Sequence, residues 1–422
     1  ENTELFSMNY RDFLKAHSNK SSFVYLDPPY IPVSEYSDFD RYSKDKFKVG
    51  AHIDLAGIYS QLVDSGVKAL LSNSSSELST RLYSDFKFDR VQANRFINNN
   101  GLKRGKIEEI LVHPKRTSNP SFPSTRYMGS KNTLLPHITS ILNGYNANSV
   151  LDAFSGSGVV SYHLKKLGFE VISNDFLSYS SSVSTALVEN NSVKLEALDI
   201  DLLLKKNRRA KKFVQSTFKD LYFCDEDNKF LDNTLANIEL LTCKYKKALS
   251  RSALSRACLK RRPRGIFTYV GFKYDDGRKD LSFSLREHFI FSINDFNKAV
   301  FDNGKHNLAY NQSALDLNVV EPDIVYLDPP YFSKHSDNDY VRRYHFIEGL
   351  CRNWEEKYQK STFLISYSSN SLPTKDEIIT MLKNIGKKVT LKEIDYKYSA
   401  GNQGHKVSSN NNNVQEYLFL AE

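Results

Sequence analysis

The hexapeptide Tyr-Leu-Asp-Pro-Pro-Tyr occurs twice in this 422-residue sequence, at Tyr25–Tyr30 and at Tyr326–Tyr331. Two consecutive prolines directly after a strand cannot continue a hydrogen-bonded ladder, so nearby carbonyls are left free to accept bonds from elsewhere. In the second copy, Asp328 and the carbonyl of Pro329 form two neighbouring acceptors, and Tyr331 adds a ring face. Such a set suits an exocyclic aromatic amine such as adenine N6, a poor nucleophile because its lone pair is delocalised into the ring. Accepting both N–H hydrogens favours a pyramidal nitrogen that can attack a sulfonium methyl in line, while the extruded base stacks on the tyrosine. Aspartate need not be a general base, since the methylated ammonium is strongly acidic and its proton can leave afterwards. A Pro-Pro turn with an incidental Asp and Tyr is the bland alternative for one copy, and two copies in matched contexts argue against it.

A second constellation lies upstream. Leu151-Asp152-Ala153-Phe154-Ser155-Gly156-Ser157-Gly158 follows the apolar Val150 and precedes Val159–Lys166, which has helical apolar spacing. This reads as strand, glycine turn and helix. The glycines let backbone pass close to a nucleotide-like ligand, and an acidic residue at the strand end can accept hydrogen bonds from a charged amino group. The next strand, Glu170–Ser173, ends at Asn174-Asp175, and Asp175 lies 23 residues after Asp152, near the spacing at which a carboxylate reaches ribose hydroxyls. An ordinary βαβ unit with a tight turn is the competing reading of this segment alone.

The elements that must position these residues repeat as well. Each Asp-Pro-Pro-Tyr follows what reads as a buried strand, Phe23-Val24 or Ile324-Val325. Each is followed by an apolar strand ending in small polar residues, Ala69–Ser74 or Phe363–Ser368, and then by a hairpin: Phe86–Ile97 with Lys106–Val112, and Val389–Tyr398 with Val414–Leu420. The second copy has about 200 residues before its motif and the first has 26, so copy one reads as a C-terminal half. The three prolines of His113–Ser124 suit a linker. The expected domains are thus 1–113, a linker at 114–123, and 124–422. Ser178–Ser184 reads as a loop or helix start and Ser408–Asn413 as a hairpin tip.

Composition, 40% hydrophobic and 25% charged, is that of a globular chain, and no apolar run approaches the roughly 20 residues that cross a bilayer. Cys224, Cys243, Cys258 and Cys351 match neither a zinc site nor a disulfide framework, which suits a reducing cytosol. No metal is implied. The sequence opens at Glu1 without an initiator methionine or signal segment, and the expectation is that it begins inside a longer product. Its net charge of +9 is local: Lys205–Arg264 carries 17 Lys or Arg against 6 Asp or Glu, so the remainder is slightly acidic. Runs such as Lys205–Lys212 and Lys260–Arg264 can neutralise phosphates and release counterions, although single lysines there also suit a solvated helical face. Residues able to read bases crowd Arg262–Arg278.

Together these residues resemble the Dam-like, D12-class DNA adenine-N6 methyltransferases. Arg126-Tyr127-Met128-Gly129-Ser130-Lys131 resembles the family's N-terminal cofactor motif, Asp152–Gly158 its glycine turn, Asn174-Asp175 its ribose contact, and Asp328–Tyr331 its catalytic motif. The resemblance implies that Tyr127, Lys131, Asp152, Phe154, Gly156, Gly158, Asp175 and Asp328 line an S-adenosylmethionine site, with Tyr127 standing where tryptophan is often found. It implies a seven-stranded Rossmann-like methyltransferase sheet with a C-terminal β-hairpin and a helical target-recognition insertion at about 190–305, where the basic segment falls. The first copy resembles the tail of such an enzyme, including Leu70–Ser74 and the hairpin Arg95–Asn98 to Arg104–Lys106. Without a glycine turn, Asp27, Pro28 and Tyr30 have no methyl donor beside them, so this half is expected to be inactive. Two such units in one chain resemble the FokI-type modification enzymes.

The resulting expectation is site-specific methylation of flipped adenine in double-stranded DNA, without metal or covalent intermediate, so that magnesium chelation leaves activity intact. The implied setting is the bacterial cytoplasm, with a cognate restriction endonuclease acting on the same site without stable binding. The alternatives are an RNA adenine methyltransferase and a non-catalytic DNA-binding remnant. Cytosine-N4 methylation is disfavoured, because those enzymes more often carry Ser at the head of the motif.

Overall fold

A computed structural model of the protein describes residues 3–31, 47–94, 106–118, 121–272, 274–329, 340–354, 363–368, 374–384, 387–397 and 413–421. It is an α/β protein. The first copy forms a four-stranded sheet from β1 (Phe23–Leu26), β2 (Lys68–Ser74), β3 (Phe86–Asn94) and β4 (Lys106–Arg116), in the order β1-β2-β4-β3. β1 runs parallel to β2, with Phe23 opposite Lys68, and β4 is antiparallel to both β2 and β3. A parallel pair needs a crossover, supplied by the helix Val49–Asp64, which buries Ile53, Leu55, Ala56 and Tyr59. The tip expected at Arg95–Asn98 and Arg104-Gly105 lies outside the described residues.

The glycine turn sits on a second, all-parallel sheet of β5 (Ser149–Asp152), β6 (Glu170–Asn174), β7 (Leu308–Tyr310) and β8 (Ile324–Tyr326), ordered β7-β6-β5-β8. Successive side chains point to opposite faces. Val150 therefore joins Val159, Val160, Leu164 and Val171 in one core, while Leu151 joins Ala153 and Ile172 in the other. A parallel sheet covered on both sides reads as an unbroken apolar run, which is why Val150-Leu151 and Val171-Ile172 show no alternation.

The strands before the two Asp-Pro-Pro motifs are not buried throughout. Phe23 is 68% exposed and Val325 50% exposed, whereas Val24 and Ile324 are half-buried. The reason is topological: among the described residues β1 pairs only with β2 and β8 only with β5, so each is the edge of its sheet.

Between β6 and β7 the chain is mainly helical, with helices Ala197–Leu204, Asp225–Ile238, Lys244–Arg261 and Leu285–Ala299. The last begins with a reciprocal cap: the Glu287 amide donates to Ser284 Oγ, and the Ser284 amide donates to the Glu287 carboxylate at 2.8 Å. The helix Lys244–Arg261, though rich in Lys and Arg, is buried all round from Ser252 to Leu259, with Leu249, Ala253, Leu254 and Cys258 in the core. The serine run Ser178–Ser184 is a helix whose first amides, of Ser178 and Tyr179, donate to Glu348 at 2.9 and 3.0 Å.

The chain divides into two compact units, Glu1–Asn353 and Trp354–Glu422. The first therefore contains both the first copy and the glycine-turn sheet. β4 runs to Arg116, into the stretch expected to be a linker, and Phe122 packs on the core beneath the glycine turn, 5.2 Å from the Tyr162 ring. The second unit holds β9 (Phe363–Ser368), β10 (Val389–Lys397) and β11 (Asn413–Ala421), antiparallel in the order β10-β11-β9. Its core gathers Ile378 and Leu382 from the helix Lys375–Asn384 with Tyr417 and Phe419 from β11. The order β9-β11-β10 repeats the first copy's β2-β4-β3.

Candidate active site

The turn after β5 is shaped by two glycines with left-handed φ, 52° at Gly156 and 79° at Gly158. Gly156 must also be small: a Cβ there would lie 3.1 Å from the Tyr127 ring. The Gly158 amide donates to the Ser155 carbonyl at 2.8 Å and closes the turn into the helix Val159–Lys166. Asp175, at the end of β6, then holds the turn, accepting from the Gly156 amide at 2.7 Å and the Leu177 amide at 2.8 Å. Burial raises its carboxyl to about 6, against the lowering effect of those amides.

Asp152 ends β5 fully buried. One oxygen accepts from the Ser161 hydroxyl at 2.6 Å; the other, Oδ1, has no well-formed hydrogen bond among the described residues, the Phe154 amide lying near enough only to draw the carboxyl's pKa down. Burial raises this carboxyl to about 7, with the Ser161 bond acting the other way. A buried acceptor with an unused lone pair is costly unless something cationic or hydrogen-bonding meets it.

Asp328 follows β8. Its Oδ2 lies 2.6 Å from the Lys131 ammonium, both side chains being about 15% exposed, and Lys131 also donates to the Gly129 carbonyl at 3.0 Å. Tyr127 lies flat against Tyr344, centroids 5.1 Å apart and planes 4° from parallel, and the Met128 amide donates to the Tyr344 hydroxyl at 2.8 Å. Burial holds the Tyr127 phenol well above its ordinary pKa, and the nearby Asp175 adds to this.

These groups converge. Tyr127, Lys131, Asp152, Phe154, Gly156, Asp175 and Asp328 line one cavity of about 230 Å³. Gly158 belongs to the turn beneath it, where an added Cβ would meet Val183 at 3.0 Å. Pro329 follows Asp328 and is exposed, and Tyr331 lies outside the described residues. Sequence reasoning missed Phe176, a largely exposed ring on the cavity wall, although its place directly after Asp175 is a usable signal. It also missed Tyr344 and Ser161, which reach the site only through helix packing and carry no motif.

In the first copy the corresponding Asp27 accepts from Ser72 Oγ at 2.6 Å, the Tyr30 hydroxyl donates to Glu109 at 3.2 Å, and the Ile31 amide donates to Asn73 at 3.1 Å.

The segment from Arg262 to Arg278 separates into frame and tip. Arg262 is buried, its guanidinium donating to the carbonyls of Tyr222, Ile266, Tyr269 and Gly271 while lying against the Tyr222 and Phe267 rings. Burial lowers its pKa to about 10, so it stays cationic. Arg278 is tied to Asp276 at 2.8 Å and to the Arg262 carbonyl at 2.7 Å. Neither is placed to read a base, whereas Arg264, Tyr269 and Tyr274 are exposed, with the Arg264 guanidinium 4.8 Å from the Tyr274 centroid. Replacing Arg262 by alanine leaves four carbonyls without their donor and should cost about 3 kcal/mol or more in a urea melt. A midpoint within error of the parent would contradict the role given to Arg262.

Comparison with known proteins agrees with the geometry. The family model described as D12 class N6 adenine-specific DNA methyltransferase matches residues 1–97 and 127–400, taking in most of both copies. The chain is 29% identical over 340 residues to the Type II methyltransferase M2.HphI of Haemophilus parahaemolyticus, covering 72% of this chain and 99% of that one. It is 27% identical over 358 residues to the modification methylase StsI of Streptococcus sanguinis, 70% of this chain and about half, 52%, of that protein. It is 34% identical over 112 residues to the DNA adenine methylase of Salmonella typhi, 26% of this chain and 40% of that one. Among the described residues no helix is long and apolar enough to cross a membrane. A glycine turn beneath two acidic strand ends, the aspartate of the Asp-Pro-Pro motif on the same cavity, and a family match over most of the sequence make the chain a member of the D12 class of N6 adenine-specific DNA methyltransferases.

Proposed function

We propose that the chain is the modification enzyme of a type II restriction system, acting in the cytoplasm on adenine in duplex DNA with S-adenosylmethionine as methyl donor. The single observation that carries the donor assignment is the orphaned Oδ1 of Asp152. It faces the need of a buried acceptor for a cationic partner, and an α-ammonium fits that need. Asp175 holds the turn through backbone amides and keeps lone pairs for ribose hydroxyls. Phe176 supplies a ring for a purine, and Lys131 a cation for a carboxylate.

The donor supplies a methyl carbon on positively charged sulfur. Asp328 and the Pro329 carbonyl accept the two amine hydrogens and hold the nitrogen pyramidal, Tyr331 stacks on the base, and the Lys131 ammonium keeps the Asp328 carboxylate oriented. With the donor bound, formation of the N–C bond would be matched by cleavage of the C–S bond with its electron pair left on sulfur, and the surplus proton would leave the nitrogen for water.

Residues 124–422 would be the complete catalytic domain, 114–123 the linker and 1–113 an inactive half. The seven-stranded sheet belongs to this reading, supported by the first copy, which carries within one sheet the strand order that follows an Asp-Pro-Pro strand. The cognate endonuclease would share the target sequence and need no stable contact. The basic stretch from Lys205 to Arg264 and the tip Arg264–Tyr274 would contact the duplex.

Incubation with labelled S-adenosylmethionine and unmethylated duplex DNA should yield N6-methyladenine on nucleoside analysis, with little label in RNA. Label in N4-methylcytosine, or in RNA alone, would sink this reading.

A further inference from the structure

The first copy is packed against the helical insertion. Gly50, in the first turn of the helix Val49–Asp64, lies so close to the helix Ala197–Leu204 that a Cβ would come within 2.3 Å of the Ala197 carbonyl oxygen. Its amide donates to Asp201 at 3.3 Å. Lys298 reaches from the helix Leu285–Ala299 to Asp85 at 2.6 Å, both side chains largely buried, and also donates to the Leu82 carbonyl at 2.9 Å. Arg81 lays its guanidinium 4.3 Å from the centroid of the Phe291 ring and 5.1 Å from that of Phe283, and Lys279 meets Glu77 at 3.3 Å.

Two of these contacts, Arg81 on Phe283 and Glu77 on Lys279, fall at the stem of one loop, while Lys298 holds the far end of the helix that follows it. Lys279 and Phe283 form the downstream stem of the loop 263–278, whose described tip residues Arg264, Tyr269, Val270 and Tyr274 are exposed and whose upstream stem is held by Arg262. We propose that the first copy is a brace for this loop, positioning it on DNA while taking no part in methyl transfer. The inference rests on the reading of the loop as a DNA contact.

A loop tip is aimed by its two stems, and a displacement of about 1 Å in a positioning element can cost on the order of a hundredfold. The exposed Glu77–Lys279 pair contributes little by itself. The Arg81 cation against the touching Phe283 and Phe291 rings and the buried Lys298–Asp85 pair define the geometry. None of Gly50, Arg81, Asp85 or Lys298 lines the cavity around Asp152 and Asp328, so the brace should be separable from donor binding.

The test is steady-state methylation of duplex DNA by the full chain carrying Arg81→Ala or Lys298→Ala, with donor affinity measured by calorimetry. The expected result is a KM for DNA raised about tenfold, a kcat at saturating DNA within about twofold of the parent, and unchanged donor affinity. Lys298→Arg should restore most of the DNA affinity. Parent-like KM in both alanine variants overturns the brace, and so does a parallel loss of donor affinity in both, which marks a contact that merely supports the fold. Tyr269→Ala and Arg264→Ala separate the two ideas: if these also leave KM unchanged while label still enters adenine, the reading of the loop fails and the brace falls with it.

Discussion

Alanine in place of Asp328 is expected to lower the single-turnover rate of methyl transfer by about a thousandfold or more, with N6-methyladenine falling to background. Two effects act together. The amine loses the acceptor that makes it nucleophilic, and a preorganised electrostatic partner of this kind is worth roughly a hundred- to a thousandfold in rate. The Lys131 ammonium also loses a carboxylate 2.6 Å away, so the cavity wall itself shifts. Asp328→Asn separates these effects, because it keeps shape and one acceptor while removing charge. Donor affinity in the asparagine variant should stay within about fivefold of the parent, since a transition-state interaction lost alone lowers kcat rather than binding. A variant with parent-like transfer would mean that methylation does not pass through this aspartate.

Asparagine in place of Asp152 is expected to act with opposite signs on binding and folding. Under the proposed function the buried carboxylate meets the donor's ammonium, so its loss should weaken S-adenosylmethionine binding by about a hundredfold, near 3 kcal/mol. The ligand-free protein should become more stable under alkaline conditions. Burial raises the Asp152 carboxyl from an ordinary 3.8 to about 7. A group whose pKa is higher folded than unfolded stabilises the fold below its unfolded pKa, and that contribution is lost as pH rises through the folded pKa. Between pH 4 and pH 7 the parent therefore gives up a few kcal/mol, on the order set by linkage, that the asparagine variant does not. Thermal melts at pH 6 and pH 8.5 should show the variant gaining on the parent at the higher value. Calorimetry should show parent donor affinity rising as pH passes 7, with a flatter profile in the variant. Identical pH profiles would place the titrating group elsewhere.

What could be read from the residue order was whatever lies close along the chain. Asp152, Gly156 and Gly158 sit within one turn, and Asp175 follows one βαβ unit later, so local chemistry and spacing already imply their meeting. Asp328 was legible because two prolines leave it only a few conformations. Tyr344 was not, because its stacking on Tyr127 joins residues more than two hundred apart through helix packing. Arg262 could not be told from its neighbours for a related reason: a string of arginines looks alike in sequence, and only burial against four carbonyls separates the one that builds the loop from Arg264, which is presented by it. The exposure of Phe23 and Val325 was hidden because apolar runs do not say whether a strand has neighbours on both sides. The docking of the first copy was equally hidden, since Gly50 looks like an unfavourable helix residue until the Ala197 carbonyl is beside it. Tyr331 lies outside the described residues, and its stacking role stands on the motif.

With the loop contacting DNA as proposed, the grip of Arg262 bears on how such a protein could acquire new targets. Its guanidinium holds Ile266, Tyr269 and Gly271 by their main-chain oxygens, and every amino acid supplies the same oxygen. The side chains at Tyr269, Val270 and Tyr274 point to solvent and contribute little to folding. Substitutions there can accumulate while the loop keeps its shape, so drift in what the tip touches is uncoupled from drift in whether the protein folds. A library randomised at those three positions should consequently contain mostly folded members.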